Sequence, residues 1–185
     1  MFQTLFNNLA NLKIATLAGK KINCKAKQHP VVVKPSATEY VVFDGDNTNV
    51  KTFQTLYRET LSKVDYHWVH RGNAIPNVVR ESQAQFSTPP YSGKEAVDTF
   101  IAMDIIDKCH TNKHLQKVYI VSNDGDFVDV IYNASVMFPK VRFVQLVNKD
   151  RCSPASRTRS KSIKLLKRKP TSNMEIVNFK PKDKK

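Results

Sequence analysis

The chain has 185 residues, 41% apolar and 25% charged, enough for about one domain with a buried core and room for arms. No run approaches the ~18 apolar residues of a membrane span, and five Gly with nine Pro exclude a collagen-like chain. The formal charge of +14 divides into +6 over residues 1–38, −2 over 39–148 and +10 over 149–185, so a near-neutral body lies between basic arms suited to a phosphate polyanion or an anionic membrane surface.

In chain order, Phe2, Leu5, Phe6, Leu9 and Leu12 fall at helical spacing, and the period predicts an amphipathic helix over 2–17. Residues 39–43 are a buried-strand run that ends in an acidic turn. Val50, Phe53, Leu56, Tyr57 and Leu61 predict a helix over 49–62, and 64–70 reads as a second strand. Residues 71–93 carry Pro76, Pro89 and Pro90 with no clear period, too long for an ordinary connection. A helix over 94–109, a strand over 118–121, a helix over 127–138 and a strand over 141–147 follow. The segment beyond Asn148 mixes Ser, Arg and Lys and reads as a mostly disordered or fold-on-binding tail.

Such alternation predicts an α/β fold, a parallel sheet with helices on both faces, whose ligands gather beyond the carboxyl ends of the strands. Both acidic turns fall there. The first strand delivers Asp44 and Asp46, the third delivers Asp124 and Asp126, and Asp98 opens the intervening helix. Carboxylates gathered without partners repel one another unless a cation neutralises them. Hard oxygen ligands suit Mg2+ or Mn2+ rather than zinc, and a bound ion can act on a phosphodiester. Taken singly, each acid has a plainer role: Asp44 to Asn47 as turn chemistry, Asp126 as a helix cap, Asp98 at a helix start. Asp104 suits an ion pair with Lys108 one turn on at least as well as metal binding.

Val41-Val-Phe-Asp-Gly-Asp-Asn47, Glu95-Ala-Val-Asp98 through Asp104, and Val121-Ser-Asn-Asp-Gly-Asp-Phe127 resemble the three motifs of NYN-domain proteins, the PIN-like nucleases related to the LabA group. The resemblance covers residues 39–148 and implies a three-layer α/β/α PIN-like domain with about four or five parallel strands. It divides the chain into a basic N-terminal helix and linker (1–38), the nuclease domain (39–148) and a basic tail (149–185). It also implies a metal-dependent ribonuclease, with Asp44, Asp98, Asp124 and Asp126 as catalytic and metal-binding residues for Mg2+ or Mn2+. Asn47 and Ser122 would orient metal ligands or substrate, and Asp46 would be peripheral. The family's third motif reads Ser-Gly-Asp-Ser-Asp-Phe, so Asn123 and Gly125 are departures that keep both acids. In the second motif the family's Lys falls at Glu95, with Lys94 displaced by one.

Two other readings use the same residues. Asp44-x-Asp46-x-Thr48 is similar to the opening of haloacid-dehalogenase-like phosphatases, but the second strand ends His-Trp-Val-His-Arg71 without the hydroxyl that family needs. A PIN-like scaffold that binds nucleic acid without cutting it is the third class. The expected partner is RNA, with DNA as an alternative and homodimerisation left open. Lys94 is a phosphate contact and Tyr91 a base-stacking residue in this reading. Arg157, Arg159, Lys167, Arg168 and Lys169 are the tail's backbone contacts. Trp68 reads as core, and His67 and His70 point to opposite faces of a strand, which disfavours a shared zinc ion. Cys24, Cys109 and Cys152 form neither a disulfide framework nor a CxxC site. A reducing, cytoplasmic setting follows, or a nuclear one in a eukaryote.

Overall fold

The computed structural model describes residues 37–58, 61, 63–72, 75–90, 93, 95–148, 161, 164–165 and 171–180. The helix expected over 2–17, and Tyr91, Lys94, Arg157, Arg159, Lys167, Arg168 and Lys169, lie outside them.

The strands are β1 (Glu39–Asp44), β2 (Val64–Val69), β3 (Gln85–Ser87), β4 (Lys117–Val121), β5 (Arg142–Asn148) and β6 (Met174–Phe179). The helices are α1 (Val50–Leu56), α2 (Asn77–Arg80), α3 (Ala96–Thr111) and α4 (Phe127–Met137). All strand pairs are parallel, in the order β3-β2-β1-β4-β5-β6. Burial on both faces explains why β1 and β4 read as nearly continuous apolar runs. Tyr40, Val42, Ile120 and Phe143 pack under α3 and α4. Val41, Phe43, Tyr66 and Trp68 pack with Phe53 of α1 and Val79 of α2 on the opposite face. There the Phe43 ring lies 5.0 Å from Phe53 and 5.9 Å from Trp68, contacts worth about 0.5–1.5 kcal/mol each beyond their buried area.

The sheet thus has six strands rather than four or five. Residues 71–93 are not one long loop, because α2 and β3 lie within them. Helix α1 stops at Leu56, well short of residue 62. Tyr57 turns to extended backbone, which sets its ring 5.0 Å from Phe53 and 4.9 Å from Tyr66. The reading of everything past Asn148 as mostly disordered fails for β6, which pairs along β5 from Phe143↔Met174 to Asn148↔Phe179. Its entry is held by the Asn173 side-chain amide, which donates to the carbonyls of Ser135 (3.0 Å) and Val141 (2.9 Å). Leu165 packs against the α3/α4 core as well.

The strand order reverses between β1 and β4, the switch point at which open α/β sheets leave a crevice beyond their carboxyl ends. The period of two in β1 sends Tyr40, Val42 and then Asp44 toward α3. A buried polar network fixes that helix from the far side. Asp104 of α3 accepts from the Tyr40 hydroxyl and lies 3.0 Å from His67 Nδ1, while His67 Nε2 meets Ser87 Oγ at 2.8 Å. Burial opposes the Asp104 charge, but His67, Tyr40 and Lys108 together hold its carboxyl below the usual range. Lys108 does not pair with Asp104 as helical spacing suggested. Its ammonium reaches Asp65 of β2 at 2.7 Å.

Candidate active site

Asp44, fully buried at the end of β1, is the centre of the crevice. Its Oδ2 accepts from Ser122 Oγ and from Asn47 Nδ2, both at 2.7 Å, and its Oδ1 accepts from the backbone N–H groups of Asp46 (3.2 Å) and Asn47 (3.3 Å). Burial pushes the Asp44 carboxyl up, and the bonds from Ser122 and Asn47 work against that push. Gly45 follows because nothing larger fits. A Cβ there would lie 2.6 Å from Trp68 Nε1 and 2.7 Å from the Val69 carbonyl.

The turn after β4 is tied to Asp44 through Ser122, whose Oγ also accepts from the Asp124 N–H at 3.0 Å. Asp124 Oδ1 in turn accepts from the Asp126 N–H at 2.9 Å. Beneath this turn Gln145, fully buried in β5, donates to the carbonyls of Asp124 (2.6 Å) and Ser122 (3.1 Å). Asp126 stands at the N-cap position of α4 but makes no capping bond. Its side chain, 83% exposed, meets Lys161 Nζ at 3.0 Å, and the same ammonium lies 2.8 Å from Asp129. Partial burial disfavours the Lys161 charge, but Asp129 and Asp126 outweigh it and raise the ammonium's pKa.

Asp98, in the first turn of α3, completes the set. Its pKa is pushed up to about 6, first by burial and then by the charges of Asp44, Asp124, Asp126 and Asp46. Asp98 therefore feels the charges of the other three acids of the sequence quartet. Asp46 faces away toward β2, where His70 Nδ1 donates to it at 2.7 Å and Arg71 Nε at 3.2 Å. On the other flank a recess is walled by Asn47, Thr52, Ser122, Asn123, Asn148 and Phe179.

The sequence model described as the NYN domain matches residues 20–151. The chain belongs to the NYN-domain family. That family is one of PIN-like ribonucleases, and nuclease chemistry on nucleic acid is the activity it implies. No curated protein matches the chain by sequence. Among solved structures, a protein of unknown function from Vibrio parahaemolyticus superposes with a TM-score of 0.51 at 14% identity, over 78% of this chain and 95% of that one. TubZ of Clostridium botulinum phage c-st gives 0.50 at 10% identity, over 82% of this chain and 54% of its own. Its form lacking the C-terminal tail gives 0.52 at 10%, over 82% and 55%. The chain thus spans about half the length of TubZ, and likenesses at these identities speak to the fold alone.

NYN and other PIN-like nucleases generally use divalent metals. The donors fit such an ion in kind, since all four are hard carboxylate oxygens, and the Asp98 carboxyl is raised by burial first and then by its acidic neighbours. Among the described residues, no three acidic, His or Cys side chains are gathered into a ligand group as they stand.

Three features of this NYN site were not expected from the sequence. Gln145 underpins the second acidic turn, and its one signal is a polar residue within an apolar strand. Lys161 sits on Asp126, from a segment read as tail. The Asp46 carboxylate is held by His70 and Arg71, which the sequence presented only as the end of a strand.

Proposed function

We propose that this chain is a metal-dependent ribonuclease that hydrolyses RNA phosphodiester bonds at Asp44, Asp98, Asp124 and Asp126. The observation that carries the reading is the 2.7 Å bond from Ser122 to Asp44, which ties the acidic turn after β4 to the end of β1, with Asp98 near enough for their charges to raise its carboxyl. An acidic crevice of this kind is unfavourable until a cation enters it. Asp44, Asp98, Asp124 and Asp126 would hold Mg2+ or Mn2+, and the bound ion supplies positive charge against the developing charge on phosphorus and acidifies water. Ser122 and Asn47 aim Asp44 and oppose the upward push of burial on its carboxyl, and Gln145 fixes the backbone that carries Asp124. The basic arms, +6 and +10, give the backbone affinity that an acidic crevice lacks. Products carry 5′-phosphate and 3′-hydroxyl ends. Among the described residues no helix is long and apolar enough to cross a membrane, and the free thiol of buried Cys109, raised to about 12 by burial, is inert. A reducing cytoplasm is the compartment that suits it.

The phosphatase alternative would use Asp46 as its acid/base, and the ties from His70 and Arg71 disfavour that role. The test is cleavage of RNA, DNA and a phosphomonoester by wild type and Asp124→Asn, with Mn2+ or Mg2+ and with EDTA. The nuclease cuts RNA only with metal and only with Asp124 intact. Turnover of the monoester alone would favour the phosphatase, and RNA binding without cutting would favour a scaffold.

A further inference from the structure

The described carboxyl edge of the sheet is acidic at its centre, which raises the question of what receives the phosphates beside the one being cut. On one side of the crevice, Lys161 is committed to Asp126 and Asp129. On the other side stands a cationic group of different construction. The register Asp44↔Val69 sets the end of β2 beside the end of β1, about 4.8 Å away across the sheet, so His70 and Arg71 emerge next to the buried carboxylate. His70 is fastened by its backbone N–H to the Ser87 carbonyl at 3.1 Å, and its Nδ1 donates to Asp46 Oδ1 at 2.7 Å. Arg71 binds the same carboxylate twice, through its backbone N–H at 3.1 Å and its Nε at 3.2 Å.

We propose that His70 and Arg71, held on Asp46, form a phosphate-binding site for the nucleic-acid backbone flanking the scissile bond. Three donors on one carboxylate are more than a turn residue requires. Asp46 itself is only 18% exposed, whereas Arg71 is 52% and His70 27% exposed. The Asp46 carboxylate is therefore spent on holding His70 and Arg71, and the Arg71 side chain stays half exposed. Arg71 uses Nε for Asp46 and keeps both terminal nitrogens, the planar fork that matches phosphate oxygens. Anchoring at Nε and at the backbone removes rotamer freedom before substrate arrives, which lowers the ordering cost on binding. His70 is fixed through Nδ1 on the same carboxylate, which leaves Nε2 as its second ring nitrogen. A structural ion pair would leave the same distances but no consequence for a ligand, and that difference can be measured.

The inference rests on the nuclease reading only for the identity of the bound strand, so binding is measured without cleavage. A single-stranded RNA oligonucleotide in EDTA, titrated with wild-type protein, Arg71→Gln and Arg71→Lys, is the probe. Arg71→Gln weakens binding about five- to twentyfold and lowers the salt slope by about 0.7, one phosphate contact. Arg71→Lys, which keeps the charge without the fork, falls between. A set of oligonucleotides, each with one phosphate replaced by neutral methylphosphonate, then locates the contact. At one internal position wild type loses affinity while Arg71→Gln loses none. If the Arg71-dependent loss comes instead from removing a 5′-phosphate, the site takes a terminal phosphate rather than a backbone one. Identical curves for wild type and Arg71→Gln at every position, including no binding by either, overturn the proposal. Cleavage by the same wild-type preparation with Mn2+ reports on the nuclease reading separately: Arg71-dependent binding with uncut RNA keeps this site and removes the enzyme.

Discussion

Asp98 and Asp104 sit on the same helix, and burial leads them in opposite directions. Asp104 faces the wall between α3 and β2, where the Tyr40 hydroxyl and the His67 ring supply donors and its carboxyl falls below the usual range. Its neighbour in that wall, Asp65, has the Lys108 ammonium at 2.7 Å and the Gln85 amide at 3.2 Å. Asp98 faces the crevice, where what it meets is other carboxylates, and its carboxyl rises to about 6. The wall acids each have a donor and hold the fold together. Asp44 has the donors of Ser122 and Asn47 and Asp126 has Lys161, whereas Asp98 carries the charges of its acidic neighbours, an arrangement that costs stability in the free protein and that a cation would relieve. Partnership, rather than burial, separates Asp104 from Asp98.

The sharpest way to break this contrast is to neutralise one acid in each region. Asp44→Asn or Asp124→Asn removes a crevice oxygen charge and should lower RNA cleavage by about a thousandfold, since metal-assisted charge stabilisation is worth several kcal/mol. Single-turnover assays on folded variants measure it. Asp104→Ala leaves His67 and Tyr40 without their acceptor in a buried site and should cost about 3 kcal/mol of stability, read as a lower denaturant midpoint at constant slope. Asp98→Asn should do the reverse. Without metal it relieves repulsion on the order of 1 kcal/mol once solvent screening is allowed for, a rise of roughly 2–4 °C in Tm, while cleavage is lost.

The two regions also separate by pH. The Asp98 pKa is raised in the folded state, from 3.8 to about 6, so the folded protein binds the extra proton and its penalty disappears as pH falls through that window. The Asp104 pKa is lowered below 3.8, so its stabilisation is complete above that value and is lost only as pH falls through the folded pKa. Wild type without metal should gain stability from pH 7 to 5 relative to Asp98→Asn, then lose the wall's contribution below about 4. Thermal midpoints across pH 3.5–8 check both signs. The smallest expected effect belongs to Lys161. Lys161→Met frees Asp126 and Asp129 from a competing ammonium, and the metal concentration for half-maximal cleavage should fall by about two- to threefold.

Much of this was legible because parallel strands are apolar on both faces and end abruptly. The runs of β1 and β4 stop at Asp44 and Ser122, and the acidic turns that follow announce the crevice without any knowledge of its geometry. The elements that escaped lack that contrast. Strand β3 is three half-buried residues, too short for a period to register. Strand β6 is partly buried along most of its length and sits in a segment dominated by Lys and Arg, so charge hid its pattern. Tertiary pairing defeated helical spacing at Lys108, which chose Asp65 of another element over the acid one turn away. His70 and Arg71 were invisible for a similar reason, since their common partner Asp46 lies in the turn after a different strand.

Whether Asp98 and its neighbours share a cation is decided by calorimetric titration of Mn2+ at pH 6 in two buffers of different protonation enthalpy. Binding should release about half a proton per ion, because Asp98 is then near its midpoint, and Asp98→Asn should abolish that release and weaken binding. Equal affinity in wild type and Asp98→Asn, with no proton released by either, would contradict a shared cation.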